Sequence, residues 1–285
     1  MMRGRIPWLL IAAALGALVA YVSIQWLFSP AVPTSDFARP IQSTIIEVPE
    51  GMTLRQLAAR LEREQLIRSQ MAFLLLGKLM AADRHIKAGE YAVHAGMRPS
   101  EMLTEFLNGH VVLYQVTIPE GYTVVELAQV FAQQGLADPE ALIGLAHDRD
   151  FIQSLAIEAA SLEGYLFPNT YKFARRTKPK EIVKEMVEGL WHVFTPELRQ
   201  RAQEIHMTPH QVLTLASVIE KETGSAEERE LISAVFHNRL RLGIPLQSDP
   251  TVIYGLDYFD GNLRKKDLDS KSPYNTYRVR GLPPG

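Results

Sequence analysis

Glu220 stands near the end of a stretch that reads TPHQVLTLASVIEKET from Thr208 to Thr223. Thr208, Pro209 and Gln211 together make a capping-box start with proline at the first helical position. On that helix Glu220 lies one turn beyond Ala216 and Ser217 and two turns beyond Leu213, so a carboxyl group extends a stripe of apolar and small residues. A carboxyl group with an apolar floor holds a proton near neutral pH and can act as a general acid. Glu222 is turned away by about 200° and, with Lys221, reads as the solvated face. Thr223-Gly224 is expected to end the helix, with the glycine in the left-handed conformation. Ser225 and Glu228 are expected to open a second helix with another capping box, closed by Gly243 before Pro245. That pair of helices runs into the polar turn Leu246–Gly255, which carries Gln247, Asp249 and Tyr254.

Other chemistries find little support. The chain has no cysteine, which excludes disulfides, thiolate metal sites and a cysteine nucleophile. His206 and His210 have the spacing of a zinc pair, but Pro209 starts a helix between them. There is no His-Glu-x-x-His, no glycine-rich phosphate loop and no Gly-x-Ser-x-Gly. His237 reads as an ordinary helix residue, and no metal or cofactor is expected. A formal charge of −2 gives no electrostatic case for nucleic acid.

The elements that position these residues follow from periodicity. Pro7 to Phe28 contains no charge and is long enough to cross a ~30 Å hydrocarbon core. Arg3 and Arg5 precede it, so the short N-terminus is expected in the cytoplasm and the rest outside it. It exceeds the ~7–15 apolar residues of a cleaved signal peptide, so it reads as an uncleaved anchor. The proline-containing stretch 29–44 reads as a tether. Two copies of one pattern follow, about 70 residues apart. Ile46–Thr53 (IEVPEGMT) matches Val116–Thr123 (VTIPEGYT). Each leads into a helix, through Leu54, Leu57, Ala58 and Leu61 in the first and Val124, Leu127, Ala128 and Phe131 in the second. The expected unit is a strand, a Pro-Glu-Gly turn, a threonine cap and an amphipathic helix, and the strands of the two copies could pair with each other. Residues 70–110 read as helix, strand, helix. Asp138–Leu155 reads as helical, Leu162–Phe173 as extended with a turn at Pro168-Asn169, and Pro179–Phe194 and Pro196–Ile205 as helices.

The runs LASVIEKETGSAEE (215–228), VFHNRL (235–240) and LQSDPTVIYG (246–255) resemble the signature of the YceG-like family, the endolytic murein transglycosylases. Glu163–Tyr171 (EGYLFPNTY), Tyr274–Tyr277 (YNTY) and Gly281–Gly285 (GLPPG) resemble its other blocks. The resemblance covers nearly the whole chain, and several blocks in order are more specific than any one of them. It implies an α+β protein with an N-terminal transmembrane helix (1–28), a linker (29–44), a LysM-like subdomain (45–112) and a catalytic domain (113–285). Family members continue past the Gly-Leu-Pro-Pro-Gly block, so part of the catalytic domain is expected beyond Gly285. The implied activity is a lyase-type cut of the MurNAc–GlcNAc β-1,4 bond in peptidoglycan that leaves 1,6-anhydro-MurNAc ends and terminates or trims nascent strands. Glu220 would be the catalytic acid, with Glu163, Tyr165, Gln247, Asp249, Tyr254 and Asn275 binding substrate or supporting it. The implied partners are glycan strands, the inner membrane and cell-wall synthases, with the catalytic domain in the periplasm. Two other classes stay open. One is a non-catalytic wall-binding or division-complex protein, and the other is a glycoside hydrolase that uses a second carboxylate such as Glu163 or Asp249.

Overall fold

The computed structural model describes residues 6–32, 42–82 and 85–285. Arg3 and Arg5, and most of the tether expected over 29–44, lie outside the described residues. Helix α1, Ile6–Leu27, carries no charge. At 1.5 Å per residue its length is about 33 Å, close to a ~30 Å hydrocarbon core. It is the one helix among the described residues long and apolar enough to cross a membrane, and it lies near the N-terminus. The chain is α+β, with helices predominating around two small sheets. It divides into two compact units, one up to Tyr114 with 174–176, the other 115–173 with 177–285.

In the first unit, β1 (Thr44–Val48) pairs antiparallel with β2 (Gly89–Val93), Ile46 opposite Tyr91 and Val48 opposite Gly89. Between them run α2 (Leu54–Arg63) and α3 (Gln70–Leu79), and α4 (Pro99–Asn108) follows. Gly51 takes the positive φ of 78° that the Pro-Glu-Gly turn needs, where a side chain would be strained. Thr53 then caps α2 reciprocally with Gln56. Leu54, Leu57, Ala58 and Leu61 are all buried, with Phe73, Tyr91 and Phe106, in one core.

The second unit repeats the plan with an offset of 70 residues. Strand β3 (Tyr114–Thr117) leads through Gly121, φ 75°, to Thr123, which caps α5 (Val124–Gln133) reciprocally with Glu126. Val124, Leu127, Ala128 and Phe131 are buried, as their counterparts are. The two copies therefore share strand, turn, cap and helix in the same order. Their strands do not pair with each other: β3 pairs with β4 (Thr170–Phe173), as β1 does with β2. Each helical excursion brings its own return strand back, and that strand is nearer along the chain than the other copy.

Helices α6 (Pro139–Ala146) and α7 (Arg149–Ser154) split the stretch read as one helical region. Asp148 ends continuity by accepting the Asp150 and Phe151 amides as the cap of α7. Of the stretch read as extended, only β4 is strand. Residues 162–168 turn, with Gly164 at φ 78° and the Tyr165 amide bonded to the Leu162 carbonyl at 2.9 Å. Helices α8 (Pro179–Val193), α9 (Pro196–Glu204), α10 (Pro209–Glu222), α11 (Arg229–Leu242) and α12 (Asp249–Tyr254) complete the unit.

The repeated cap yields a direct test. Thr123→Ala removes one partner of the box at the head of α5, and the expected cost is about 1 kcal/mol. The change in unfolding midpoint should match that of Thr53→Ala within a factor of two, measured by denaturant titration. A negligible cost at either position would mean that the box is not what starts that helix.

Candidate active site

Helix α10 is capped by Thr208, whose side chain accepts the Gln211 amide at 3.2 Å while Gln211 takes the Thr208 amide at 2.8 Å. One face of α10 is buried. Leu215 and Val218 pack with Phe236 of α11 and with Leu246, and Met207, Ile219, Ile232, Leu240 and Leu282 pack around them. The other face carries Leu213, Ala216, Ser217 and Glu220, and these four line one cavity of about 360 Å³, within the ~300–1,000 Å³ of small-molecule sites. The stripe read from helical spacing is thus the stripe that meets the cavity. The rest of the wall, all from the second unit, comes mainly from the Pro-Glu-Gly turn, Glu163, Gly164 and 166–168, Leu190, both ends of α12, Tyr274, Pro283 and Gly285.

The surroundings of Glu220 are less apolar than the stripe suggested. Arg229, the first residue of α11, places Nη2 3.0 Å from its carboxylate. The same guanidinium reaches Glu120 of the Pro-Glu-Gly turn at 3.2 Å. The turn lies over the end of α10. A Cβ built on Gly121 would come 3.5 Å from Lys221 Cε and 3.8 Å from Glu220 Cγ. Neither Arg229 nor Glu120 carried a sequence signal of its own, although Glu120 sits inside the repeat.

The loop between α10 and α11 departs from expectation. Helix α10 ends with Thr223 in an extended conformation, and Gly224 is not left-handed. Ser225 does not cap α11, whose first turn has no side-chain cap. The Thr223 hydroxyl donates to Glu228 at 2.6 Å and accepts the Ser225 amide at 3.0 Å, so it takes both members of the expected box. Gly243, φ 67°, closes α11 as expected.

Like Glu120, Glu163 lines the cavity too. It accepts the Val124 amide at the start of α5 at 3.1 Å. Burial pushes its pKa up, against the opposing pull of that amide, of His147 and of the Tyr254 hydroxyl. Tyr254, also on the wall, is pushed up to about 12, first by burial and then by Glu163. Its ring meets Tyr274 edge-on at 4.9 Å.

The other residues singled out in the sequence do not line the cavity. Tyr165 is buried behind the wall and stacks on His210 with the ring planes 8° apart. The Pro284 carbonyl accepts from His210 Nε2 at 2.7 Å, so in the neutral ring Nδ1 accepts the Tyr165 hydroxyl at 2.9 Å. His210 itself reaches the cavity. Asn275 is fully buried, and its amide donates to the Leu268 and Ser270 carbonyls. Asp249 accepts the Tyr277 hydroxyl at 2.7 Å, and Gln247 accepts Arg239 at 2.9 Å. These three were expected to bind substrate or to support Glu220, and in the structure they belong to a scaffold that sets α12. In it, Ser248 donates to Glu222 at 2.6 Å, and Thr251 and Thr276 share a hydrogen bond at 2.8 Å. Glu222 is exposed, as expected of the solvated face, and its carboxylate also anchors the loop at Ser248. The periodicity of α10 assigns it a face, but the partner comes from a segment 26 residues away.

A cavity lined by three glutamates and by tyrosines, with Arg229 bridging two of the carboxylates, is equipped for proton transfer. Residues 46–285 match the YceG-like family, and the chain belongs to it. It is 31% identical over 256 residues to the endolytic murein transglycosylase of Bacillus subtilis, across 84% of this chain and 71% of that protein. It is 29% identical over 307 residues to the endolytic murein transglycosylase of Streptococcus pneumoniae serotype 2, across 97% of this chain and 55% of that one. A solved YceG-like protein from Listeria monocytogenes superposes with a TM-score of 0.56 at 30% identity, covering 86% of this chain and 85% of the other.

The burial of Glu163 has a pH signature. With its folded pKa raised, its stabilising contribution is fully present below the unfolded carboxylate value of about 4.3 and is lost as pH rises through the folded value. Glu163→Gln keeps an oxygen for the Val124 amide and removes the titration. The Tm of the wild type should therefore fall relative to that of the variant as pH is raised from about 4 to 8. Parallel Tm curves would mean that Glu163 is not desolvated.

Proposed function

We propose that this chain is an endolytic murein transglycosylase in which Glu220 serves as both acid and base. The observation that carries the reading is the position of Glu220: on the cavity face of α10, with its carboxylate held by Arg229. It joins a family match whose named relatives are endolytic murein transglycosylases. The substrate is a peptidoglycan glycan strand bound across the cavity. Tyr254 and Tyr274 offer ring faces and edges to pyranose C–H groups, and Leu166, Phe167 and Leu213 offer an apolar surface for an N-acetyl methyl. Glu220 gives its proton to the oxygen that leaves C1 of MurNAc. The C6 hydroxyl of the same sugar then bonds to C1 and passes its proton to the Glu220 carboxylate. One bond breaks, one forms, no water is consumed, and the enzyme returns to its starting state. Used on nascent strands, the cut terminates or trims them.

A hydrolytic reading has one observation in its favour, the presence of Glu163 in the same cavity, since hydrolysis uses a second carboxylate to activate water or to attack C1. The products separate the two readings, because an anhydro end is lighter by one water.

The proposal includes an anchor. Helix α1 spans the membrane, with the short N-terminus in the cytoplasm and both units outside. Protease added to right-side-out spheroplasts should digest both units, and full protection would reverse the topology. Phe73, Tyr91 and Phe106 are all in the core of the first unit, which favours a supporting role for it in this reading.

Glu220→Gln should leave folding and strand binding intact and lower anhydro-end formation by about 10²–10⁴, the share of general acid catalysis. Glu222→Gln keeps an acceptor for Ser248 and should lose little. Mass spectrometry of digests of purified peptidoglycan strands gives both numbers. Equal anhydro product from Glu220→Gln and wild type would sink the assignment, and comparable losses at both positions would move the chemistry to Glu222.

A further inference from the structure

Helix α3 is apolar on two opposite sides. Ala72, Phe73 and Gly77 face the core of the first unit, and Gly77 lies so close to α2 that a Cβ there would meet Leu54 Cδ2 at 2.2 Å. On the other side Met71, Leu75 and Leu79 form a stripe at i, i+4 and i+8, and they are 74%, 54% and 76% exposed. Met80 follows at 37%. A helix that is apolar all round belongs in a core or against lipid, and among the described residues nothing covers half of this one. The second repeat differs at the equivalent positions. Seventy residues on, Met71, Leu75 and Leu79 correspond to Ala141, Leu145 and Arg149. There Ala141 and Leu145 are half-buried, and α6 packs against α5 and α8.

Two further observations say what covers the stripe. The first is position. The exit of α1 is tied to the residue next to the α3 cap, Ser69. The Arg68 guanidinium stacks on the Trp26 ring at 4.5 Å, and its Nε donates to the Pro30 carbonyl at 2.9 Å. Val32 adds a backbone bond to Ala95 at 2.9 Å. The second is charge. From Ser69 to Ala82 the one charged residue is Lys78, which falls within the exposed arc and has a stem long enough to lie along the apolar stripe with its ammonium at the phosphates.

We propose that the outer face of α3 lies in the headgroup region of the bilayer that α1 enters, so that the first unit is seated on an anionic lipid surface. Apolar contact plus a flanking cation is how an interfacial helix binds such a surface. The inference rests on the reading of α1 as an anchor. Two contacts, one covalent and one interfacial, would fix the tilt of the unit where a single span leaves it free to swing.

The absence of cysteine allows single labels on the full-length chain. Leu75→Cys, Leu79→Cys and, within α1, Val22→Cys each carry an environment-sensitive NBD group. Each protein is reconstituted into nanodiscs of phosphatidylethanolamine and phosphatidylglycerol, with and without headgroup- or chain-nitroxide lipid. The expected result is a blue-shifted emission at 75 and 79 that loses intensity to headgroup nitroxide, while the label at 22 is lost to chain nitroxide. Quenching at 22 with water-like, unquenched emission at 75 and 79 would overturn the proposal and leave the anchor standing. No quenching at 22 would instead remove the anchor, and with it the premise. A blue shift at 75 and 79 that no nitroxide lipid touches would also overturn it, because a second copy or another protein would then cover the stripe. Lys78→Glu, a surface change that leaves the core contacts of α3 in place, should weaken quenching at 75.

Discussion

One guanidinium joins two consecutive helices to a turn more than a hundred residues away. Arg229 opens α11, Glu220 closes the cavity face of α10, and Glu120 belongs to the Pro-Glu-Gly turn of the second repeat. The ion pairs are partly open to solvent, with 37% of the Arg229 side chain and 28% of that of Glu220 exposed, so their weight in stability is small. Their value is positional. Arg229 ties the turn to the end of α10 and places one cation between two carboxylates that line the cavity. The left-handed Gly121 is part of the same constraint. It lets the turn come close to Lys221 and Glu220, and it directs Glu120 towards Arg229.

Much of this was legible in the sequence, for a physical reason. The repeat shows because strand, turn, cap and helix are each encoded locally. Glycine supplies positive φ, threonine with a glutamine or glutamate three residues on supplies the cap, and the buried set 124, 127, 128 and 131 follows the helical period. The α10 stripe was legible for the same reason. What could not be read was any side chain whose partner comes from another segment. Gln247, Asp249 and Asn275 were named by the resemblance as substrate-binding or supporting groups. Their partners, Arg239, Tyr277 and two loop carbonyls, come from other segments and carry no local signal. The expected Ser225–Glu228 box fails in the same way. Its two members are within reach of a hydroxyl three residues upstream of the expected helix, and the buried Thr223 wins both.

The two repeats also show one plan serving two uses. In the second, α6 packs against α5 and α8, and the Pro-Glu-Gly turn is pressed against α10. In the first, a Cβ built on the corresponding Gly51 would meet nothing within 4 Å, and among the described residues the stripe on α3 is bare. The second copy has had its surfaces drawn into a cavity, whereas the first presents them outward next to the exit of α1.

The surroundings of Glu163 and Glu220 differ. Glu163 is bonded to the Val124 amide at the first turn of α5, a fixed backbone donor that holds the side chain in place. That arrangement suits a group that positions Tyr254 and the loop. The partner of Glu220 is different. When Glu220 carries the proton, Arg229 is not left uncompensated, because Glu120 already lies 3.2 Å away as a second counter-ion. When the proton has passed to the leaving sugar, Arg229 is 3.0 Å from the new carboxylate. A shared guanidinium therefore tolerates both states of Glu220 with little rearrangement, which is the preorganisation that a single carboxyl group needs to act twice in one turnover.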